Sequence, residues 1–156
     1  MKRICILSDT HNLLRDEVKA ELAAADIILH AGDINSITVL QTIKQYGKLY
    51  AVRGNNDNKL AEYLPKTLSV TIEGINFFIV HNKLDIPKYL KDIDIVIYGH
   101  SHKYEEEVIN GILYLNPGSC GKRRFDLGIS LCRMFVDAGT YKNEIIVIAD
   151  FPETGH

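Results

Sequence analysis

The segment Ile95-Val96-Ile97-Tyr98-Gly99-His100-Ser101-His102 carries two histidines directly behind a short apolar run. A run of this kind, rich in β-branched residues, predicts a buried strand, and Gly99 lets the backbone turn as it leaves the sheet. Histidines two residues apart point to the same side of an extended chain, so this pair can bind two neighbouring metal ions. Paired loop histidines also occur without metal, so the prediction depends on the other strand ends.

Three apolar runs alternate with helical patterns in the first third of the chain. The runs at residues 3–7, 27–30 and 49–52 predict buried strands, and helices are predicted over residues 13–25 and directly after Ser36, a favourable N-cap. Strand and helix alternation predicts parallel strands joined by right-handed crossovers. The carboxyl ends of these strands therefore meet at one edge of a sheet, where α/β proteins bind their ligands.

After residue 65 the pattern changes, and strands are predicted mainly in pairs. Hairpins are predicted over residues 68–80, 103–115 and 129–149, with a short amphipathic helix over 86–91 and a strand over 94–98. We therefore expect an α/β fold in which two β-sheets pack together and helices lie outside, the first sheet mostly parallel and the second mixed.

The composition is that of an ordinary globular domain, with 156 residues, 46% hydrophobic and 24% charged, and a net charge of −2. We expect a single domain over residues 1–156 with one core. The small net charge provides no overall field for nucleic acid or a membrane surface, so a phosphate-bearing substrate must be held locally. No apolar run approaches the roughly 18 residues of a membrane span. A strand signal begins near the N-terminus, so we expect neither a signal peptide nor a membrane partner.

The chain has three cysteines, Cys5, Cys120 and Cys132, and none of them forms a Cys-x-x-Cys pair. Two of the three lie in strand-like runs. This pattern predicts buried thiols in a reducing compartment, and we expect the protein in the cytoplasm.

Residues of metal-ligand type follow all the strands expected to end at the same edge. They are Asp9, His11, Asp33, Asn55, His81, His100 and His102. Imidazole, carboxylate and amide oxygen without cysteine favour Mn²⁺, Fe²⁺, Co²⁺, Ni²⁺ or Zn²⁺ over a thiolate site or calcium. Seven ligands are too many for one such ion with room for substrate. Two ions about 3.5–4 Å apart fit better, and in-line displacement at phosphorus uses that arrangement.

Each of these residues has an ordinary structural interpretation when taken alone. Aspartate and asparagine are common in turns and helix caps, and a histidine can be satisfied at a strand end. Turn chemistry does not explain why four of the six histidines occur at these strand ends. The joint pattern therefore favours a metal centre.

The order Asp-x-His, Gly-Asp, Gly-Asn-x-Asp, a lone His and Gly-His-x-His resembles the calcineurin-like metallophosphoesterase superfamily. Together with the short length, it is similar to the small YfcE-type phosphodiesterase branch. The resemblance runs from Ile4 to about Ser119. It implies two packed mixed β-sheets flanked by helices, a four-layer α-β-β-α sandwich.

The resemblance also implies roles for the seven ligand-type residues. The first metal would be held by Asp9, His11 and His102. The second metal would be held by Asn55, His81 and His100. Asp33 would bridge the two ions.

Two positions depart from the superfamily pattern. Many members have a histidine, thought to protonate the leaving group or bind phosphate, where this chain has Asn56. Asparagine can donate a hydrogen bond to a phosphoryl oxygen but cannot transfer a proton at neutral pH, so good leaving groups should be hydrolysed better than alkoxides. Asn82 stands where many relatives have glycine, and its side chain should narrow the approach to the second metal.

Three further residues are candidates for supporting roles. Asp57 could accept the ring N–H of a ligand histidine, or form a local turn hydrogen bond. The basic run Lys122-Arg123-Arg124 could place Arg123 or Arg124 on the substrate phosphate, or be a solvated loop. Arg53 has the same two interpretations, and His30 fits a packing histidine better than a ligand.

The predicted activity is hydrolysis of a phosphoester, most simply a small phosphodiester, by two divalent ions and a hydroxide bridging them. Mn²⁺ is the first choice of metal, ahead of Ni²⁺, Fe²⁺, Co²⁺ or Zn²⁺. One alternative is a non-catalytic scaffold or interaction protein similar to Vps29, and another is a nuclease or nucleotide phosphodiesterase. The absence of an aromatic-basic stripe argues against nucleic acid. Exposed strands after residue 65 suggest a homodimer.

Overall fold

The structure, a computed structural model, describes residues 1–122 and 127–149. Its strands are β1 (Lys2–Leu7), β2 (Ile27–His30), β3 (Lys48–Ala51), β4 (Thr67–Ile72), β5 (Ile75–Val80), β6 (Ile95–Ile97), β7 (Glu105–Ile109), β8 (Ile112–Asn116), β9 (Ile129–Asp137) and β10 (Thr140–Ala149). The α-helices are α1 (Asp16–Ala24) and α2 (Ile37–Lys44), and short 3₁₀ turns cover Asn58–Leu60 and Lys83–Asp85.

The first sheet has the strand order β10-β9-β1-β2-β3. Strands β1, β2 and β3 are parallel, with Cys5 opposite Ile28 and Ile28 opposite Leu49, which confirms the predicted parallel core. The C-terminal hairpin of β9 and β10 adds to the free side of β1 in antiparallel orientation. The sheet is therefore mixed, which confirms the architecture that the resemblance implies and corrects the expectation of a mostly parallel first sheet.

The second sheet has the strand order β4-β5-β6-β8-β7. The central strands β5, β6 and β8 are parallel, and the outer strands β4 and β7 pair antiparallel to their neighbours. All three residues of β6 are buried. The carboxyl ends of β5 and β6 consequently point to the same edge. His81 and His100, which follow these strands, therefore lie at that edge.

Side-chain alternation explains how the two sheets and the helices pack. In β1, Ile4 and Ile6 face the second sheet, whereas Cys5 and Leu7 face α1 and α2. Because the strand is covered on both faces, its sequence is almost continuously apolar. Ser36 caps α2 as predicted, since its Oγ accepts hydrogen bonds from two backbone N–H groups of the first turn.

The outer face of the second sheet is covered differently from the prediction. Residues 86–91 do not form a helix, because Pro87 holds the preceding Ile86 in an extended conformation with φ −68° and ψ 127°. Ile86 and Leu90 nevertheless pack against that face. The fourth layer of the sandwich is thus a 3₁₀ turn followed by irregular chain.

The three cysteines are buried free thiols, as predicted. Burial raises the pKa of the Cys120 and Cys132 thiols to about 12, so both stay protonated and unreactive at neutral pH. Among the described residues, no helix combines the length and the apolar character needed to cross a membrane.

Candidate metal centre

Backbone hydrogen bonds join the loops that follow the strands of both sheets. Asp9 N–H donates to the Gly32 carbonyl at 2.9 Å, and His11 N–H donates to the Asp33 carbonyl at 2.8 Å. Within the second sheet, Gly99 N–H donates to the His81 carbonyl at 2.9 Å, and His81 Nδ1 donates across to the Ala31 carbonyl of the first sheet. The side chains that leave these loops therefore gather at one edge of the sandwich.

Two groups of possible metal ligands share Asp9. One contains Asp9, His11 and His102, the other Asp9, Asp33 and His81, and within each group the candidate ligand atoms lie within 4.8 Å of one another. His102 Nε2 is 3.5 Å from Asp9 Oδ1, and His81 Nε2 is 3.3 Å from Asp33 Oδ2. Asp9, rather than the Asp33 of the family pattern, is the carboxylate common to both groups.

The remaining two predicted residues lie beside the second group. His100 packs edge-on against the ring of His81, with ring centroids 5.3 Å apart. Its Nδ1 atom is 3.3 Å from Asn55 Oδ1. The structure thus brings all seven predicted residues to one place, with His100 and Asn55 on its exposed side.

The donor set fits a cation. His81 Nδ1 donates to the Ala31 carbonyl at 2.7 Å, which leaves the lone pair of Nε2 facing the two carboxylates. Asp9 Oδ1 is buried, and no donor of the described chain hydrogen-bonds to it or to His81 Nε2. Buried acceptors that converge in this way are costly without a positive partner, and a divalent ion supplies one.

The pKa values of the site residues also favour a bound cation. Burial raises the pKa of Asp9 to about 6, against the opposing effects of His81 and the Ser8 hydroxyl. Burial also acts to raise the pKa of Asp33, but the adjacent His81 ring and the hydrogen bond from the Asn56 N–H hold it below its ordinary value. Burial acts to lower the pKa of His81, but Asp33 and Asp9 together raise it above its ordinary value. Two adjacent buried carboxylates thus demand positive charge, from an imidazolium or a metal ion.

Several site residues have left-handed backbone conformations, which are strained for residues other than glycine. They are Asp9 (φ 55°), His11 (φ 49°), Asp33 (φ 63°), Asn35 (φ 67°), His100 (φ 73°) and His102 (φ 64°). Such conformations cost about 1–3 kcal/mol each and cluster at functional sites. The rest of the fold must therefore hold these loops in place.

Asp57 helps to hold these loops in place. Its carboxylate accepts hydrogen bonds from the backbone N–H groups of Asp33 (2.8 Å), Ile34 (3.2 Å), Asn35 (2.6 Å) and Gly54 (2.9 Å). The contact with Gly54 is the local turn bond that was one of the two predictions. Both oxygens of Asp57 thus accept hydrogen bonds from backbone N–H groups. Asp57 therefore joins the loop after β2 to the loop after β3.

The segment after β8 supports the loops from a third direction. Asn116 Nδ2 donates to the Gly99 carbonyl at 3.1 Å and to the Ser101 hydroxyl at 3.0 Å. Ser119 Oγ donates to the Asp9 carbonyl at 3.1 Å. These contacts explain why Asn-Pro-Gly-Ser follows a strand that carries no ligand of its own.

Asn35 belongs to the site and was not predicted. Its side-chain amide lies 2.7 Å from His11 Nδ1 and so fixes the orientation of that ring. The only signal in the sequence is an asparagine shortly after the Gly-Asp pair, which turn chemistry explains equally well.

Comparison with known proteins decides the family. A model of the calcineurin-like phosphoesterase superfamily domain matches residues 1–139. The chain belongs to this superfamily. A phosphodiesterase from Methanocaldococcus jannaschii is 32% identical, over 76% of this chain and 84% of its own length.

Solved structures agree with the calcineurin-like fold. A Thermotoga maritima protein is 25% identical, with a TM-score of 0.74 and coverage of 95% of this chain and 100% of its own. Vps29 from Entamoeba histolytica, solved with Zn²⁺, has a TM-score of 0.72 at 19% identity, and the match covers 93% and 98% of the two chains. At that identity the second likeness shows the fold alone.

Asn56 is one of the two residues of this calcineurin-like phosphoesterase that depart from the superfamily pattern. Its backbone N–H donates to Asp33 Oδ1 at 3.0 Å, and its Nδ2 lies 3.3 Å from Asp33 Oδ2. With His11, it lines an open cleft of about 470 Å³. The Asn56 amide therefore contacts a carboxylate of the centre and borders the space open to substrate.

The other candidates have different placements. His30 is fully buried, and its Nδ1 accepts the Gly32 N–H at 3.0 Å, as befits a packing histidine. Burial lowers the pKa of His30 to about 3, so the ring is neutral. Lys122 is exposed, and Arg124 lies outside the described residues.

Proposed function

We propose that this calcineurin-like phosphoesterase hydrolyses phosphodiesters with two divalent cations bound at the strand-end centre. The observation that carries the proposal is the pair of buried acceptors, Asp9 Oδ1 and His81 Nε2, which converge with Asp33 and lack donors among the described residues. The name of the M. jannaschii relative supports a diester as the substrate.

The ligand roles that we propose are those of the family pattern, and the group of Asp9, His11 and His102 matches the first of them. Asp9, His11 and His102 would hold one ion; Asn55, His81 and His100 would hold the other. Asp33, 3.3 Å from His81 Nε2, would join the two sites. When bound, the ions lower the pKa of water to about 7 and neutralise charge on the phosphoryl oxygens. Mn²⁺ is our first choice, with Ni²⁺, Fe²⁺, Co²⁺ and Zn²⁺ as alternatives.

The chain's own residues position the substrate more than they transfer protons. Asn56 Nδ2 makes only a long contact with Asp33, so it can turn to donate to a phosphoryl oxygen. It cannot protonate a leaving group. We propose Arg124 as a second phosphate contact and Asp57 as the residue that positions Asp33.

Metal content and hydrolysis test the proposal together. Purified protein should bind about two Mn²⁺ per chain and hydrolyse bis(4-nitrophenyl) phosphate, and Asp33→Asn should lose at least about 100-fold in rate, as expected when a metal ligand loses its charge. Asp16→Asn removes an exposed carboxylate from α1 and is the matched control. Turnover equal in Asp33→Asn and wild type would overturn the proposal.

The scaffold alternative rests on fold likeness to Vps29, and all seven ligand-type residues are present here. Absence of both metal binding and turnover would favour it.

A nuclease would show single-strand binding whose affinity falls steeply with salt. We further propose a homodimer, since Val108 and Ile109 are exposed on the edge strand β7. We also propose a cytoplasmic location, which suits the buried free thiols. Size-exclusion chromatography tests the dimer.

A further inference from the structure

A second cavity, of about 320 Å³, opens beside His81. It has the volume of a small-molecule pocket. His81 and Asn55 form the wall next to the metal centre, and Asn58 alone is shared with the open cleft beside His11. The roles proposed so far leave this space unused.

Two cations line the cavity. Arg53 follows β3 and Lys66 precedes β4, and the fold brings them together because Arg53 N–H donates to the Pro65 carbonyl at 2.9 Å. The guanidinium makes only long contacts, at 3.4 and 3.5 Å, with the carbonyls of Ala61 and Leu64.

Arg53 and Lys66 have no ion-pair partner among the described residues. The exposed Asp85 also lines the cavity, so two positive charges face one negative charge. The cavity therefore keeps an excess of positive charge next to the metal centre.

Asn82 adds a neutral donor. Its Oδ1 accepts the Leu84 N–H at 3.0 Å, which caps the 3₁₀ turn Lys83–Asp85 and fixes the orientation of the amide. The Nδ2 group of Asn82 is thus the end of the side chain that can donate to a ligand.

We propose that this cavity binds a second phosphoryl group of the substrate, held by Arg53, Lys66 and Asn82, while the scissile diester lies against His81 and Asn55. The inference rests on the proposed function and narrows the substrate class to phosphodiesters that carry a separate phosphate a few bonds away. A phosphoryl group suits the site because its three oxygens can accept from a guanidinium, an ammonium and an amide together.

A matched pair of substrates tests the selectivity. Thymidine 5′-(4-nitrophenyl phosphate) and its 3′-phosphorylated form have the same leaving group and differ only in the second phosphate. Wild type should favour the 3′-phosphorylated ester by about 10-fold in kcat/KM, mostly through KM, the factor expected of one charge-assisted hydrogen bond. In Arg53→Gln and Lys66→Gln that ratio should fall to near one.

Lys44→Gln is the matched control, since Lys44 is an exposed cation in the last turn of α2 and should leave the ratio unchanged. Lys66 is exposed, and within residues 1–122 and 127–149 its side chain forms no hydrogen bond or ion pair. Lys66→Gln therefore decides the test if Arg53→Gln fails to fold. An unchanged ratio in Lys66→Gln would overturn the assignment of this cavity.

Binding gives a readout that does not depend on turnover. By calorimetry with Mn²⁺-loaded protein, thymidine 3′,5′-bisphosphate should bind about 10-fold more tightly than thymidine 5′-monophosphate, and Lys66→Gln should abolish the difference. If neither ester is hydrolysed but this preference is present and lost in Lys66→Gln, the cavity assignment stands and the proposed hydrolysis fails. If both esters are hydrolysed equally and bind equally, the hydrolysis stands and the cavity assignment fails.

Discussion

His30 Nε2 lies 3.0 Å from the hydroxyl oxygen of Thr10, which joins the end of β2 to the residue between Asp9 and His11. Because Nδ1 of the same ring accepts the Gly32 N–H, the neutral ring must carry its proton on Nε2 and donate it to Thr10. One buried ring thus supports the Asp9 loop and the Asp33 loop at once.

Replacing Thr10 with valine should show how much this contact stabilises the folded protein. Thr10→Val keeps the side-chain shape but leaves the buried His30 N–H without an acceptor, so the free energy of unfolding should fall by about 1–3 kcal/mol. Urea unfolding of metal-free protein measures this. Thr42→Val removes an exposed hydroxyl that bonds within α2 and should cost under about 0.5 kcal/mol. Equal losses in the two variants would contradict the interpretation.

Asp57→Asn should weaken both the fold and metal binding. An asparagine cannot accept four backbone N–H bonds, and its amide group would face donors, so we expect a loss of about 2–4 kcal/mol in unfolding free energy and of about 10–100-fold in Mn²⁺ affinity. Thermal unfolding and calorimetric Mn²⁺ titration measure these. Asp94→Asn is the control, since Asp94 accepts one exposed backbone N–H, from Asn76. Wild-type Mn²⁺ affinity in Asp57→Asn would rule out a positioning role.

Asn56→His should restore a proton donor beside the open cleft. We expect a larger gain in kcat for alkyl phosphodiesters, whose leaving groups need protonation, than for nitrophenyl esters, which do not. General acid catalysis contributes about 10²–10⁴-fold where it operates, so a gain of at least about 10-fold should be measurable. Asn56→Gln controls for the size of the side chain. Equal gains on both substrate types would argue that the histidine acts by binding phosphate.

The ion pairs of Glu21 should make stability depend on pH. Its carboxylate accepts two hydrogen bonds from Arg133, at 2.7 and 3.0 Å, and one from Arg3 at 3.0 Å. The Arg133 hydrogen bonds lower the pKa of Glu21, so the unfolded chain binds the proton more tightly than the folded protein does. The stabilisation is therefore complete above the ordinary pKa of glutamate, near 4.5, and is lost as the pH falls through the lower folded value.

Glu21→Gln tests this dependence. At pH 7 it should lower the unfolding free energy by about 1 kcal/mol, a modest value because the pair is partly exposed. The difference from wild type should shrink as the pH falls below 4.5. Glu17→Gln, an exposed residue in the first turn of α1, should change stability by only a few tenths of a kcal/mol. A difference that does not vary with pH would contradict the ion-pair account.

The gathering of the ligand-type residues could be predicted because it follows from topology. Asp9, Asp33 and Asn55 each follow a parallel strand, and parallel strands bring their carboxyl ends to one edge. The same rule applies to His81 and His100 in the second sheet. For these residues, strand patterns and side-chain chemistry were sufficient.

The hydrogen bonds that hold the ligand-bearing loops could not be predicted in this way, because they join distant parts of the chain. Asp57 looks like a turn residue until the loop after β2 is placed against it. The antiparallel half of the first sheet is formed by the last strands, and local patterns do not state which strand they will join. The predicted helix over 86–91 failed for a local reason, since the constraint from Pro87 outweighed the amphipathic spacing.

The left-handed backbone at Asp9, His11, Asp33, His100 and His102 has a consequence for protein engineering. Grafting these five side chains onto an ordinary strand-and-loop scaffold would aim them in the wrong directions, because unstrained loops place the Cα–Cβ bonds differently. A functional transplant would have to copy Asp57, Asn116 and Ser119 as well, since those residues hydrogen-bond to the loops that carry the ligand-type side chains.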